Sequence, residues 1–417
     1  MKHHSKNKLI ASGVWTLRIV IGVIFITSGF AKSVDIWGFV YKIEEYLNVW
    51  NFAQPRSLVL MAALAISSAE FLLGLMLTIG AYKRTCVWFM LAMMAVMLPL
   101  TAYIWIENPV SDCGCFGDMI RISNSETFFK NVFITAGLIF LALKNRLVRG
   151  LFHAYTQWIT AFSATLYILA IAFIGYNIQP LLDFRSFPVG SQLIQADSEI
   201  DEPSFAFIYE KDGIHKSFTE DSLPDSTWTF VDRKQTSGTL DSKTELNIYD
   251  EDGNNITADI ADADEDKLII VIPQGERADV SFTYLINELQ RHMESHGGSI
   301  IELGAFSDDE LEEWKDLSMA TYPIYSAEST TLKELARGNM AAIYLRDGQI
   351  IWKRNLTSIN SDNITSSGVD ISISESLKFP SEIWLFALTI GLISMYIAIY
   401  CVDHLAILHK KVVSIKK

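Results

Sequence analysis

The chain has 417 residues, a formal net charge of −14 and a mean hydropathy of +0.23, with half of its residues hydrophobic and 20% charged. The apolar content excludes intrinsic disorder, the pI of about 5.1 excludes the usual basic nucleic-acid binder, and four cysteines in this length exclude a disulfide scaffold. High hydropathy beside high charge requires segregation: residues 180–378 hold 38 of the 48 acids and 16 of the 34 Lys and Arg, a net −22, and the remainder carries +8.

Six stretches in that basic remainder have membrane-spanning length: 12–31, 57–80, 85–106, 127–143, 154–178 and 381–402. About 20 helical residues cross a hydrocarbon core of roughly 30 Å. Ionisable groups inside them are few: Arg18, Glu70, Lys130 near one end and Glu382 at one end. Lys2, Lys6 and Lys8 precede the first span, Lys83 and Arg84 join the second and third, Lys144, Arg146 and Arg149 join the fourth and fifth, and Lys410, Lys411, Lys416 and Lys417 follow the sixth. An alternating chain puts all four clusters on one face, which the positive-inside rule makes cytoplasmic. Both termini are then cytoplasmic, and the connections 32–56 and 107–126 and the acidic block 180–378 lie outside. The first span has a basic start like a signal peptide, but its apolar run is too long for one and no small-residue cleavage site follows, so it reads as retained.

Arg18 and Glu70 lie within the first two spans, which run in opposite directions. At about 1.5 Å per residue their depths differ by only about 6 Å, so the sequence predicts either an ion pair that fixes helix packing or a proton or quinone site.

The loop after the third span reads Ser111-Asp112-Cys113-Gly114-Cys115-Phe116-Gly117-Asp118. Two cysteines in a short, Gly-rich, outward loop are not ordinary core residues. A Cys-x-Cys disulfide closes a very small ring, which departs from relaxed geometry, and strained disulfides are the oxidising, labile ones. Gly114 and Gly117 give the turn its backbone freedom. Asp112 and Asp118 raise the thiol pKa values unless a cation intervenes. Three readings stay open: a redox dithiol, a structural disulfide, or a thiolate metal site. The last lacks ligands, since zinc takes four and Cys86 and Cys401 fall at the cytoplasmic ends of the third and sixth spans; no metal ligand set is assigned. Those two cysteines read as small apolar residues.

In the acidic block, residues 179–266 form a β-rich lead-in. Residues 246–257 read as a hairpin around the polar turn 250–255. Counted from Asp250 as an EF-hand loop, positions six and twelve are Asn255 and Ala261 rather than Gly and Glu, so the turn reads as solvated, not calcium-binding. From Lys267 the pattern is regular: a buried strand over 268–272, a helix over 280–295 with Leu285, Ile286, Leu289 and Met293 on one face, and a strand over 299–303. A helix over 308–317 follows, capped by Ser307 with Glu310 completing a capping box. Residues 341–345 and 350–353 form a hairpin about Asp347-Gly348. Domains therefore divide as 1–178, 179–266, 267–379 and 380–417.

Residues Ala336 to Ile350 resemble the closing hairpin of a thioredoxin-like domain. The family's Cys-x-x-Cys would fall within Ile272-Pro273-Gln274-Gly275-Glu276-Arg277-Ala278-Asp279, which has no cysteine, and its cis-proline would fall at Met340. The resemblance thus implies a docking module rather than a thiol oxidoreductase. Arg18 to Lys32 resembles the first helix of the DoxX superfamily, and Ala69-Glu70-Phe71-Leu72-Leu73-Gly74-Leu75 through Gly80 resembles its second. Cys113-Gly114-Cys115-Phe116-Gly117-Asp118 is similar to the MauE branch, linked to methylamine utilisation, and the combination resembles a membrane-protein type of Bacteroidota.

The fold class implied is an α-helical polytopic bundle of six transmembrane helices plus an α/β thioredoxin-like extracytoplasmic domain with a β-rich lead-in, in the inner membrane. The implied function is envelope thiol–disulfide redox or maturation of a client protein through Cys113 and Cys115. Its expected partners are the lipid bilayer, an extracytoplasmic client or a separate thioredoxin-like protein, and a quinone as electron partner, with no nucleic acid. The competing class is a non-enzymatic scaffold in which Cys113 and Cys115 form a structural bridge.

Overall fold

Apolar runs of this length leave the backbone without a polar solvent, so they fold as helices that satisfy their own amides. The computed structural model describes residues 2–52, 54–110, 112–144, 150–194, 204–211, 214–218, 229–237, 245–261, 265–360 and 373–415. Ser111, Arg146, Arg149, Lys416 and Lys417, named above, lie outside them. The chain divides into two compact units. One comprises Met1–Arg185, Ala336–Ala341 and Lys353–Lys417; the other comprises Ser186–Leu335 and Ala342–Trp352. The division is not linear along the chain, because short segments on either side of the closing hairpin group with the helices.

The helical unit begins with α1 (Lys2–Val34), α2 (Ile36–Val49), α3 (Arg56–Ile79), α4 (Lys83–Glu107), α5 (Asn124–Lys144) and α6 (Gln157–Asn177). A final helix covers Ser381–Ile415. Among the described residues six helices are long and apolar enough to cross a membrane, and α2 is not one of them. Helix α2 departs from the sequence expectation of a simple connection over 32–56. It is short and amphipathic: Asp35 caps it by accepting the Gly38 amide at 2.9 Å, and Ile36, Trp37 and Val40 are buried. No uninterrupted apolar run announces such a helix.

Helices α1 and α3 touch backbone to backbone. A Cβ on Gly29 would sit 2.6 Å from the Ser67 carbonyl oxygen, and one on Gly74 would sit 2.7 Å from the Gly22 carbonyl oxygen. In lipid, where helices gain little from hiding apolar surface, such small-residue contacts supply the packing.

In the other unit, β1 (Ser204–Lys211), β2 (Ile214–Phe218) and β3 (Thr229–Ser237) form an antiparallel sheet in the order β2-β1-β3. The second sheet contains β4 (Ile248–Tyr249), β5 (Lys267–Ile272), β6 (Ser299–Gly304), β7 (Ile324–Ala327), β8 (Ala341–Arg346) and β9 (Gln349–Asn355), in the order β4-β7-β6-β5-β8-β9. It is mixed: β5, β6 and β7 run parallel, and β4 pairs antiparallel with β7. The expected hairpin over 246–257 is present but short: Tyr249 bridges Asn255, and the amides of Ile256 and Asp250 donate to the carbonyls of Ile248 at 2.9 Å and Asn254 at 3.1 Å. Its first arm also joins β7, and its second arm enters α7 (Thr257–Ala261). The carboxylate of Asp250 folds back onto the amides of Asp252 and Asn254, which holds the turn internally.

Helix α8 (Thr283–Ser295) buries Leu285, Ile286, Leu289 and Met293, as its spacing predicts. Helix α9 (Asp308–Ser318) has the predicted capping box between Ser307 and Glu310. Helix α10 (Ser329–Leu335) leads toward β8. Asp347 and Gly348 take φ values of +50° and +70°, the left-handed pair of a two-residue hairpin turn. Met340, at the position of the resemblance's cis-proline, is in no cis bond; none occurs among the described residues. Helix α11 (Ile373–Ser376) and α12 (Ser381–Ile415) complete the chain.

One buried acid in β6 has no cation beside it among its hydrogen-bond partners. Glu302 is fully buried and accepts from Trp314 Nε1 at 2.7 Å and the Tyr322 hydroxyl at 3.3 Å. Burial pushes its pKa up to about 7 against those two donors. That lies above the unfolded value of about 4.3. Between the two values the folded state holds the extra proton, so stability falls as pH rises through this window. Glu302→Gln should remove the slope and stabilise this sheet above pH 7 by on the order of 3 kcal/mol. Hydrogen exchange of the β5 and β6 amides on the acid and alkaline sides of the window measures it; protection of the variant that falls with pH as in the wild type would refute it.

Candidate functional site

The cysteine loop joins α4 to α5 and is fastened at both ends. Helix α4 stops at Asn108, whose left-handed backbone (φ +47°) turns its amide back to Ile104. Asn124 Nδ2, at the start of α5, donates to Asn108 Oδ1 at 2.8 Å and to the Val110 carbonyl at 3.1 Å. Within the loop Gly114 and Gly117 have φ of +66° and +54°, and the Gly117 amide bonds to the Gly114 carbonyl at 3.2 Å. A Cβ on Gly114 would press within 2.8 Å of the Lys42 side chain. Glycine is thus required at that position by backbone and by space.

Cations from distant segments neutralise the two flanking acids. Lys42 Nζ, on α2, lies 2.8 Å from Asp112 Oδ1 and 2.8 Å from Glu45. Arg337 lies 2.6 Å from Asp118 Oδ2 and 2.8 Å from Asp35 Oδ2. Asp118 also meets Arg121 at 3.5 Å. The Arg337 segment is held in turn by Gln179, which takes its amide and its carbonyl at 3.1 and 2.8 Å. The Tyr41 hydroxyl donates to the Gly338 carbonyl at 3.0 Å.

Cys113 and Cys115 are both free thiols, partly exposed, with their sulfurs 3.0 Å apart. Closing a disulfide of about 2.05 Å requires a movement of only about 1 Å. The Tyr46 hydroxyl donates to the Cys113 carbonyl at 2.9 Å. The hydrogen bond from the Cys113 thiol draws the Cys115 pKa down to about 6, against burial and with help from the cations of Lys130 and Lys32. The same hydrogen bond, with burial, pushes Cys113 up. One proton is therefore shared between unequal sulfurs, and Cys115 carries the negative charge. Phe116 is buried, with Lys130 Nζ 4.5 Å from its ring centroid.

The expected pairing of Arg18 with Glu70 does not occur. Glu70 binds Lys32, whose Nζ lies 2.8 and 2.7 Å from its two oxygens, with both side chains buried. Ser28 Oγ lies 2.7 Å from Glu70 Oε2 and 2.7 Å from the Cys115 carbonyl oxygen. Arg18 instead caps the end of α3, donating to the carbonyls of Leu77 at 3.1 Å and Thr78 at 3.4 Å, with the Trp15 ring 4.9 Å away. Arg18 is level with residues 77–78, about 10 Å along α3 from Glu70. There it meets the negative end of the helix. Lys32 follows the last apolar residue of the predicted span directly, and the sequence gives no sign of which acid it faces.

Behind Cys115 lies a small cleft of about 40 Å³. Ser28, Lys32, Glu70, Cys115, Lys130 and Asn131 supply its polar lining. Phe25, Met93, Met94, Met97 and Ile134 are among its apolar walls. Cys86 is buried between helices and Cys401 is exposed on α12, and neither lines the cleft. Among the described residues no group of three or more His, Cys, Asp or Glu could hold a metal.

Removing one member of a buried ion pair costs about 3–5 kcal/mol, because the other charge is stranded. Glu70→Gln should therefore lower the melting temperature of the purified protein, and Lys32→Met added to it should restore most of the loss. Arg18→Met added to Glu70→Gln should not. Rescue by the Arg18 variant instead would show that Glu70 pairs with Arg18 after all.

Residues 10–144, about a third of the chain, match the family model described as methylamine utilisation protein MauE. Residues 204–237 match a domain of unknown function (DUF8463). No curated protein and no solved structure matches the chain. The chain is thus a multi-pass membrane protein in which α1 to α5 and the dithiol loop are similar to MauE.

Proposed function

We propose that this protein is an envelope thiol–disulfide redox protein of DoxX/MauE-like type, acting on a protein client through Cys113 and Cys115. The observation that carries the reading is the pair of free thiols 3.0 Å apart, with the charge drawn onto Cys115. In the oxidised protein a client thiolate attacks Cys113 Sγ. The Cys113–Cys115 bond breaks, and Cys115 leaves as a thiolate that Lys130 and Lys32 stabilise. A second client thiolate then attacks the client sulfur of the mixed disulfide and releases Cys113. The client gains a disulfide, and the pair gains the two electrons.

The mixed-sheet region has no Cys-x-x-Cys, so in this reading it serves as a thioredoxin-like docking module for the client. The basic clusters support an inner-membrane orientation with both termini cytoplasmic and residues 180–380 outside.

Two measurements test this. Purified protein equilibrated in glutathione buffers of stepped ratio should titrate as a two-electron couple, and Cys113→Ser or Cys115→Ser should abolish the transition. Alkylation of Cys115 should reach its half-maximal rate near pH 6, against about 8.5 for an ordinary thiol. The thiolate populates as pH rises through that value. A pair that stays fully oxidised in every buffer would be a structural bridge, and the scaffold reading would replace this one.

A further inference from the structure

Lys130 lies in the second turn of α5, within an apolar helix long enough to cross the membrane. An ionisable side chain in such a helix is expensive and marks a functional site. Lys32, its neighbour on the cleft wall, is matched by both oxygens of Glu70. Among the described residues Lys130 has no carboxylate within ion-pair distance; its contact is the face of Phe116 at 4.5 Å. Lys130 and Cys115 line the same cleft, and Cys113 does not.

The size and lining of that cleft set what can enter it. One water needs about 10–15 Å³ of such space, so the cleft of about 40 Å³ holds roughly three. Pockets for larger ligands run to roughly 300–1,000 Å³, and no quinone ring or acyl chain fits here. Ser28, Lys130 and Asn131 offer hydrogen bonds on one side, against apolar walls such as Phe25 and Ile134. The negative charge on Cys115 opposes an anion, and Lys32 and Lys130 oppose a cation. A reactant here is therefore neutral, polar and no larger than a few waters. Hydrogen peroxide meets all three conditions, and a thiolate attacks it.

We infer that this cleft is a hydrogen peroxide site at which Cys115 is oxidised, with Lys130 Nζ donating to the departing oxygen. The inference rests on the redox reading above and supplies that reading with an oxidant. Cys115 Sγ, as the thiolate, attacks one peroxide oxygen, so an S–O bond forms and the O–O bond breaks. The other oxygen leaves with the electron pair as hydroxide and takes a proton from Lys130 to become water. Cys115 is then a sulfenic acid, which condenses with a neighbouring thiol. The Cys113 sulfur lies 3.0 Å away in the reduced pair. Its attack on Cys115 Sγ forms the S–S bond and breaks the S–O bond, and the hydroxyl leaves as a second water with the Cys113 proton. Lys130 regains its proton from solvent. The dithiol loses two electrons, and one peroxide becomes two waters. Peroxide thus meets Cys115 from the cleft, while the client meets Cys113.

The test uses full-length Cys113→Ser protein in lipid nanodiscs, where the sulfenic acid has no partner thiol. Dimedone traps it, and mass spectrometry reads the rate and position of the adduct. With hydrogen peroxide the adduct should form on Cys115 at least tenfold faster than on free cysteine. With tert-butyl hydroperoxide, which the cleft is too small to admit, it should form no faster than on free cysteine. Lys130→Met in that background should lower the hydrogen peroxide rate at least tenfold. The comparison is made at about pH 9, above the range of an ordinary thiol, and the iodoacetamide rate there should be unchanged, so loss of thiolate is not the cause. No adduct on Cys115, or equal rates with the two peroxides, overturns the inference without recourse to any cleft variant. If the wild-type thiols titrate with glutathione but Cys115 reacts with peroxide no faster than free cysteine, this inference fails alone. If Cys115 takes the adduct rapidly while the wild-type pair never closes in glutathione or peroxide, the peroxide site stands and the redox reading falls.

Discussion

The site depends on one buried ion pair. Lys32 and Glu70 are nearly inaccessible, and each would be very costly among apolar helices without the other. Their pairing sets the rotation of α1 against α3. It also places Ser28, one turn before Lys32 on the same face, between Glu70 and the Cys115 carbonyl. The position of the cysteine loop is therefore coupled to a charge pair inside the membrane bundle. The pair can form only because the two helices approach closely at Gly29 and Gly74, where any side chain would collide with backbone.

Around the loop the charges divide into two sets. Lys42 and Arg337 are occupied by Asp112, Asp118 and Asp35, so they anchor the loop and cancel the acids that would otherwise oppose a thiolate. Lys130 is left to act on Cys115. A loop with two flanking acids thus becomes a favourable place for a negative sulfur. Two of the cations come from remote parts of the chain: α2 supplies Lys42, and Arg337 comes from the segment just before β8.

Legibility followed the range of the interactions. The capping box at Ser307 and the turn at Asp347-Gly348 involve neighbours in sequence, and both appear where their residue types predict. The membrane-length helices were equally plain, because each run is apolar on every side. Helix α2 was not, since only a narrow stripe of it is buried. The short hairpin about the polar turn at 250–255 is where expected, but that its first arm also pairs with β7 and extends the six-stranded sheet could not be read from neighbours in sequence. The Arg18–Glu70 pairing was mistaken because comparing depths ignores a competitor: Lys32 lies on the same helix at the level of Glu70, and the end of α3 offers Arg18 carbonyl oxygens.

The sequence alone determined the segregation of charge, the membrane helices and the pair of cysteines in a glycine-bearing loop. Each of these follows from composition and short-range spacing. The tertiary structure decided which cations serve which acids, which sulfur carries the charge, and that a small cleft of mixed polar and apolar lining stands behind it. Those depend on distances between residues far apart in the chain, such as Lys32 with Glu70 and Arg337 with Asp118. Electrostatic partnership falls off within a few ångströms, and only folding sets such separations.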